Sequence, residues 1–353
     1  MTRRRALIYG ATGYTGALVA RALMRRGIPP VLGGRRAPAL KALGSELGLE
    51  VRVFTLDSPT DLRAALRDVH TVLHAAGPFV QTTRSVVEAC LDSGVHYADL
   101  TAEVDVFESL RELDAQARAR GITLLPGVGH AVTSSDCLAV HVAARLPGAH
   151  ILRIALSGLG SLSRGSARSL VLHAGEPMRA RVDGELRPVP RAALRRFDFG
   201  YARHAAVPVG WADISTAHHS TGIPNIETYL EAVPALRAVL AANRWFPGVL
   251  RAAPTRSAML WQNAWWPEGP SSDRRASARA AVVAEVEDPS GQRRCARLIT
   301  PEVYRSSAEA AAAACARLLI GDVEPGFQTP GSAFGADFVL SLPDVVRQDL
   351  PSL

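Results

Sequence analysis

Of the 40 Lys and Arg residues in this 353-residue chain, Lys41 is the single lysine. Any lysine-dependent chemistry is therefore confined to one position. Cysteine is almost as sparse. Cys90, Cys137, Cys295 and Cys315 lie far apart and form no CxxC or Cys/His cluster, which argues against disulfides and against zinc or any other bound metal. No apolar run is long enough to span a bilayer. Met1 to Arg5 leads straight into ALIYG, without the apolar stretch of a signal peptide, so a cytoplasmic protein is expected. The net charge of +7 comes without a long basic run or an aromatic RNA motif. Its arginines are scattered among alanines and leucines, and nucleic acid is not an expected partner. No internal repeat is visible. What remains is a globular composition, 48% hydrophobic and 21% charged, with length for about two domains.

The first third alternates short apolar runs with helical periodicity. Strands are expected at Ala6–Tyr9, Pro30–Gly34, Val51–Phe54, Thr71–His74, His96–Ala98 and Thr123–Leu125. Between them lie helices at Thr15–Arg26, Ala39–Leu47, Leu62–Arg67, Arg84–Leu91 and Val106–Arg118. This spacing implies parallel strands with right-handed crossovers, a Rossmann-type doubly wound α/β sheet. After Ser134 the pattern changes. SSDCLAVHVAARL reads as a helix with a serine N-cap, followed by strands such as Ile151–Ser157 and Ser277–Val286 and a hairpin around Asp288–Gly291. Glu227–Trp266 reads as largely helical and holds four of the five tryptophans, Trp245, Trp261, Trp265 and Trp266. These are expected in the core or a subunit interface. A further helix, Ala308–Leu319, is expected to return to the first domain. The organisation is thus a Rossmann domain at 1–135, an inserted α/β domain on a mixed or antiparallel sheet at 136–305, and a returning segment at 306–353.

GATGYTG, Gly10 to Gly16, follows the first strand and opens the first helix. In that setting Gly10 permits the tight turn, Gly13 lets the backbone approach a pyrophosphate, and Gly16 lets helix and strand pack closely. The helix N-terminus offers free N–H groups to the phosphates, so Thr12, Tyr14 and Thr15 belong to the same cradle. The second strand then distinguishes two cofactors. A site for NAD usually ends this strand with an acid for the ribose 2′-hydroxyl, whereas here Gly34 is followed by Arg35 and Arg36. A missing carboxylate and a planar cation suit the 2′-phosphate of NADP(H). Of the two, Arg36 reads more readily as solvated charge at a helix start. Asp57 is placed to meet the adenine. Ala76, Gly77, Pro78 and Phe79 follow the fourth strand, where small residues let the chain pass close to the nicotinamide.

GATGYTG also opens short-chain reductases and epimerases, but those use a Tyr-x-x-x-Lys pair, and Ala37 stands four residues before Lys41. Taken with GGR, AAGPF, VVEACLDSGVHYADL and LLPGVGHAVTSSDCLA, the loop resembles the saccharopine dehydrogenase-like family, including its trans-acting enoyl reductases. Likeness continues in LSRGSARS, WADISTAHHSTGIPNIETY and EPGFQTPGSAFGADFVL. The resemblance implies NADP(H) and hydride transfer to or from C=N or C=C bonds. Two departures stand out. Ala102 replaces a glycine of the family's acidic loop, and Gly129-His130-Ala131 replaces Gly-Phe-Asp, so a loop carboxylate is lost and an imidazole gained. His130, Tyr97, Asp99 and Glu103 are accordingly the candidates for contact with substrate or for proton transfer. If a helix starts near Ala102, Asp99 or Thr101 caps it and Glu103 favours its dipole.

The expected function is an NADPH-dependent reductase of a C=N, C=C or C=O bond in a small or carrier-linked metabolite, working as a homodimer. Peripheral membrane contact through the tryptophan-rich stretch is the less favoured alternative. The competing function is a non-catalytic NADP(H)-binding sensor.

Overall fold

The computed structural model describes residues 4–351 apart from 159–162, 173, 191–192, 235, 238–244 and 264. Its first stretch runs β1 (Ala6–Tyr9), α1 (Tyr14–Arg25), β2 (Val31–Gly34), α2 (Ala37–Leu47), β3 (Val51–Val53), α3 (Pro59–Ala65), β4 (Thr71–His74), α4 (Phe79–Ser93), β5 (His96–Asp99), α5 (Val104–Arg111), α6 (Asp114–Ala119), β6 (Thr123–Leu125) and α7 (His130–Ala144). The middle stretch holds β7 (Ile151–Leu156), α8 (Arg164–Leu172), β8 (Arg179–Val182), β9 (Glu185–Pro188), β10 (Arg195–Asp198), β11 (Arg203–Val209), α9 (Asp213–Thr221) and β12 (Asn225–Glu231). It continues with α10 (Pro247–Arg251), α11 (Ala253–Asn263), α12 (Ser272–Ser277), β13 (Arg279–Glu287) and β14 (Arg293–Pro301). The chain closes with α13 (Val303–Ile320), β15 (Gly326–Phe327), α14 (Pro330–Phe334) and β16 (Val346–Leu350). Two compact units result, one of residues 1–137 and 304–343, the other of 138–303 and 344–353.

In the first unit all seven strands are parallel, in the order β15-β6-β5-β4-β1-β2-β3. β1, β2 and β4 are buried along their whole length, as strands covered by helices on both faces must be. α1 turns Val19, Ala20, Ala22 and Leu23 inward, the apolar stripe of an amphipathic helix. Strand order reverses between β1 and β4, so a crevice opens beyond their carboxyl ends, where doubly wound sheets bind ligands.

The second unit is built on a mixed sheet, ordered β10-β11-β12-β7-β13-β14-β16, with β8 paired to β12 and β9 to β8. β12 runs parallel to β7 and the other pairs are antiparallel. Phe197, Phe199, Tyr229, Ala281 and Val283 form its aromatic core cluster. The turn between β13 and β14 closes on Asp288, whose Oδ1 accepts from Ser290 N–H and Gln292 N–H.

Several expectations are corrected. Glu227–Glu231 belongs to strand β12, because Ile226, Thr228 and Leu230 alternate with period two and are all buried. Residues 235, 238–244 and 264 of the expected helical stretch lie outside the described residues. Trp245, Trp261 and Trp265 are 70%, 70% and 78% exposed, so they do not form core. The expected helix Val106–Arg118 divides into α5 and α6. α7 begins at His130, so Ser134 and Ser135 lie inside it; Ser135 Oγ–H donates back to the Ala131 carbonyl instead of capping. Residues 346–350, within the segment expected to return to the Rossmann domain, pair as β16 with β14 of the second sheet.

Candidate cofactor and active site

The loop between β1 and α1 is held from β2 and closed against β4. Gly10 and Ala11 N–H both donate to the Gly33 carbonyl, at 3.0 and 3.2 Å. Gly10 has φ +85°, and a Cβ there would stand 2.9 Å from the Ala75 carbonyl carbon and from Ala76 Cβ. The position therefore requires glycine for conformation and for space. A Cβ on Gly16 would stand 2.4 Å from the Gly10 carbonyl oxygen, the close helix–strand approach that the third glycine of such loops provides.

Gly13 is the N-cap of α1, with no side-chain cap and no acid in the first turn. That leaves the helix N-terminus, with Tyr14 and Thr15 on its first turn, without a competing anion of its own. Tyr14 packs edge-on against Tyr304, ring centroids 5.1 Å apart. β2 ends at Gly34, so the strand's last position carries no carboxylate. The structure brings Arg36 to the glycine loop: its Nη2–H donates to Thr12 Oγ1 at 3.1 Å and to the Thr12 carbonyl at 3.4 Å. The residue read as solvated charge is thus the one fixed beside the cradle. Arg35 and Asp57 are both exposed and both act on the Tyr9 phenol, where burial raises the pKa, Arg35 opposes and Asp57 adds. A bare helix N-terminus, a close-packed glycine turn and a guanidinium beside it, with no acid ending β2, fit a dinucleotide bearing a 2′-phosphate.

Ala76 to Phe79 leaves β4 through a cis Gly77–Pro78 bond and runs into α4. Glu103 holds this junction. Its Oε1 accepts from Phe79 N–H at 3.1 Å and its Oε2 from Val80 N–H at 2.7 Å. Glu103 is the N-cap residue of α5 but makes no side-chain cap there; its carboxylate caps α4 instead, a role that spacing along the chain does not show. Thr101 Oγ1 accepts from Glu103 N–H, and Thr101 N–H donates to Asp99 Oδ1.

Tyr97 and Asp99 are fully buried at the end of β5. Tyr97 O–H lies 2.8 Å from Asp99 Oδ2, 3.3 Å from Thr83 Oγ1 and 3.1 Å from His74 Nδ1. Asp99 Oδ1 also accepts from Gly127 N–H at 2.8 Å. Burial pushes Asp99 up to about 7, with Gly127 and Thr101 N–H groups pulling against it. His74 was not singled out from the sequence. It ends β4 and reaches the Ala76 carbonyl with Nε2, 3.2 Å away, and burial holds it down at about 4. The available signal was an ionisable residue closing a fully buried strand directly before AAGPF.

His130 is buried and opens α7. Its backbone N–H donates to Ser307 Oγ at 3.0 Å, and Nδ1 lies 3.1 Å from Ser134 Oγ. Nε2 has no hydrogen-bond partner among the described residues. Burial holds this imidazole at about 4, so it is neutral near pH 7. Tyr97 and Asp99 therefore form one cluster, Glu103 holds the start of α4, and His130 bonds elsewhere. Among the described residues no group of three His, Cys, Asp or Glu could hold a metal, and no helix is long and apolar enough to cross a membrane.

A bare glycine loop at the β1–β4 switch point with an arginine beside it defines an NADP-binding Rossmann domain. Residues 6–125 match the family model described as the saccharopine dehydrogenase NADP binding domain. The chain is 30% identical over 179 residues to a putative trans-acting enoyl reductase of Mycobacterium tuberculosis, covering 47% of this chain and 43% of the relative. It is 30% identical over 138 residues to a trans-acting enoyl reductase of Mycobacterium leprae, covering 37% and 33%. The chain thus spans less than half the length of the curated relatives it matches. The fold is that of apo saccharopine dehydrogenase (L-Glu forming) from Saccharomyces cerevisiae, with TM-score 0.64, 14% identity, and coverage of 99% of this chain and 100% of that one. It is shared by a homospermidine synthase of Legionella pneumophila solved with NAD, with TM-score 0.62, 10% identity, and coverage of 99% and 92%.

Proposed function

We propose that this chain is an NADPH-dependent reductase of a C=C or C=N bond in a small or carrier-linked metabolite, with a C=O bond as a further acceptor. The observation that carries the reading is the glycine cradle with Arg36 on Thr12 and no acid at the end of β2. The enoyl acceptor is favoured because the curated relatives are named enoyl reductases. NADPH, when bound, supplies the hydride. Gly10, Gly13 and the first turn of α1 would hold its pyrophosphate, and Arg36 and Arg35 its 2′-phosphate. Ala76 to Phe79, fixed by Glu103, would line the nicotinamide.

His130 is held neutral, so its contribution is a hydrogen bond from an uncharged ring rather than a proton from an imidazolium. A neutral histidine can polarise a carbonyl without carrying charge. If Ser134 O–H donates to Nδ1, the ring hydrogen sits on Nε2, which has no hydrogen-bond partner among the described residues.

The engagement of all three rim carboxylate or phenol groups in protein contacts is a specific observation for a second reading, a NADP(H) sensor without turnover. The test is stopped-flow and steady-state oxidation of NADPH with enoyl thioesters and cyclic imines, beside calorimetric titration of NADPH. Turnover with either class supports the reductase. Tight binding with no turnover across both classes supports the sensor, and failure to bind NADPH rejects both.

A further inference from the structure

The buried chain from Asp99 to the Ala76 carbonyl can be closed hydrogen by hydrogen. A carbonyl oxygen only accepts, so the 3.2 Å approach of His74 Nε2 to Ala76 O places a hydrogen on Nε2. If the ring is neutral, Nδ1 is then an acceptor, and the single phenolic hydrogen of Tyr97 must serve the 3.1 Å contact to it. The remaining contact, 2.8 Å between Tyr97 Oη and Asp99 Oδ2, then needs a hydrogen on the carboxyl. Asp99 Oδ1 accepts from Thr101 and Gly127 N–H and needs none.

One other arrangement fills every gap: a carboxylate at Asp99 and an imidazolium at His74. It holds the same number of protons but separates two full charges at residues with no exposed surface, which a low-dielectric interior disfavours. The groups facing the chain sharpen the choice. From α4 come Thr83 and Cys90, both neutral, and from beyond β5 comes Glu103, whose negative charge acts against ionised Asp99. Loss of one proton leaves three gaps and two hydrogens, so one contact must open.

We propose that Asp99 is held protonated, and that Asp99, Tyr97 and His74 form a neutral clamp on the Ala76 carbonyl, with His74 a positioning residue for the cofactor loop. The protonation state stands on the geometry alone; the cofactor role rests on the reading of Ala76–Phe79 given above. Thr82 O–H donates to the same carbonyl at 2.9 Å, so the clamp fixes a loop already held from α4.

Infrared difference spectroscopy reads the proton directly. Wild type at about pH 6 is expected to show a protonated-carboxyl stretch that vanishes on titration above about pH 8 and is absent from Asp99→Asn, since burial pushes the group up to about 7. The asparagine mimics the neutral acid, donating to Tyr97 and accepting the two N–H groups. The stability of wild type relative to this variant is therefore expected to fall with rising pH. A wild-type spectrum with no such band at about pH 6 overturns the proposal, whatever the variant does.

For the clamp, His74→Phe is expected to weaken NADPH binding about tenfold, the equivalent of one modest hydrogen bond. His74→Gln, whose amide donates to Ala76 O, is expected to recover most of it. Wild-type affinity in both variants overturns the positioning role. Equal weakening in both, matched to lost melting temperature, overturns it as well. If wild type itself binds no NADPH, the cofactor reading fails, and the infrared band still decides the protonation of Asp99.

Discussion

Replacing Glu103 with alanine removes both acceptors from the first turn of α4. The two bonds, at 3.1 and 2.7 Å, run from backbone N–H groups to a carboxylate. Bonds to charged groups contribute about 1.5–3 kcal/mol each in favourable settings, and an anion at a helix N-terminus about 0.3–1 kcal/mol. Val80 is half-exposed, so water recovers part of the loss, and a net cost of about 2–4 kcal/mol is expected. In a unit of this size that corresponds to a fall of roughly 5–12 °C in melting temperature. Glu103→Gln keeps one acceptor and is expected to lose about half as much. The same junction ends the Ala76–Phe79 loop, so NADPH affinity should weaken with stability, by about tenfold in the alanine variant. Calorimetric melting with and without NADPH, together with a fluorescence titration of the reduced nicotinamide, measures both. Unchanged stability and affinity in Glu103→Ala would refute the capping role. Lost turnover with both retained would instead make Glu103 a substrate contact.

Further predictions concern the cradle and the buried imidazoles. Arg36→Ala should weaken NADPH binding by about tenfold to a hundredfold, the value of a charge-assisted contact to phosphate, while NADH binding changes little; equal losses for both cofactors would rule out a 2′-phosphate contact. Gly16→Ala places a methyl 2.4 Å from the Gly10 carbonyl oxygen and should cost about 1–3 kcal/mol of stability by overpacking, read by urea denaturation. His130 is held at about 4 against an ordinary value of 6.5. The unfolded state therefore binds the extra proton, and this contribution to stability is full above pH 6.5 and lost as pH falls toward 4. It amounts to at most about 3 kcal/mol. His130→Gln should flatten that acid limb, and an unchanged limb would show that the ring is accessible to water.

Asp99 has the opposite sign. Its pKa is raised from 3.8 to about 7, so the folded state binds the extra proton. Its contribution is complete below about pH 4 and is lost as pH rises through 7, at most about 4 kcal/mol. His130 and His74, both held at about 4, thus act against Asp99 in the same window, and the wild-type profile hides opposing slopes. The difference between wild type and Asp99→Asn isolates the falling one; a difference that rises with pH would mean that Asp99 is ionised in the fold.

The doubly wound sheet was legible because parallel strands covered on both faces leave short apolar runs, and the glycine loop names its own place after one of them. Gly10 and Gly16 could be assigned from spacing because both answer to local sterics. Arg36 could not, because which of two adjacent arginines turns toward Thr12 depends on how α2 leaves β2. Glu103 was misjudged for a related reason: the preference of acids for helix starts is local, but the helix it caps begins 24 residues earlier. Strand β12 was hidden within a longer stretch of helical composition, and only its buried period-two residues betray it.

These outcomes bear on the proton donor. The sequence offers four polar candidates at the rim, and loss of the family's loop carboxylate makes His130 the natural replacement. The structure engages the other three in the scaffold: Glu103 on α4, Asp99 on Gly127 and Thr101, and Tyr97 within the chain to His74. A carboxyl that holds two backbone N–H groups and a phenol cannot give up its proton each cycle without loosening the loop it supports. A neutral, buried His130 can polarise an acceptor but is a poor acid. For a reductase on this scaffold, these contacts favour solvent or the substrate's own neighbouring groups as the proton source. Reduction in deuterated water should therefore show a solvent isotope effect on turnover that survives in His130→Gln, and loss of the effect in that variant with turnover still measurable would restore His130 as the acid.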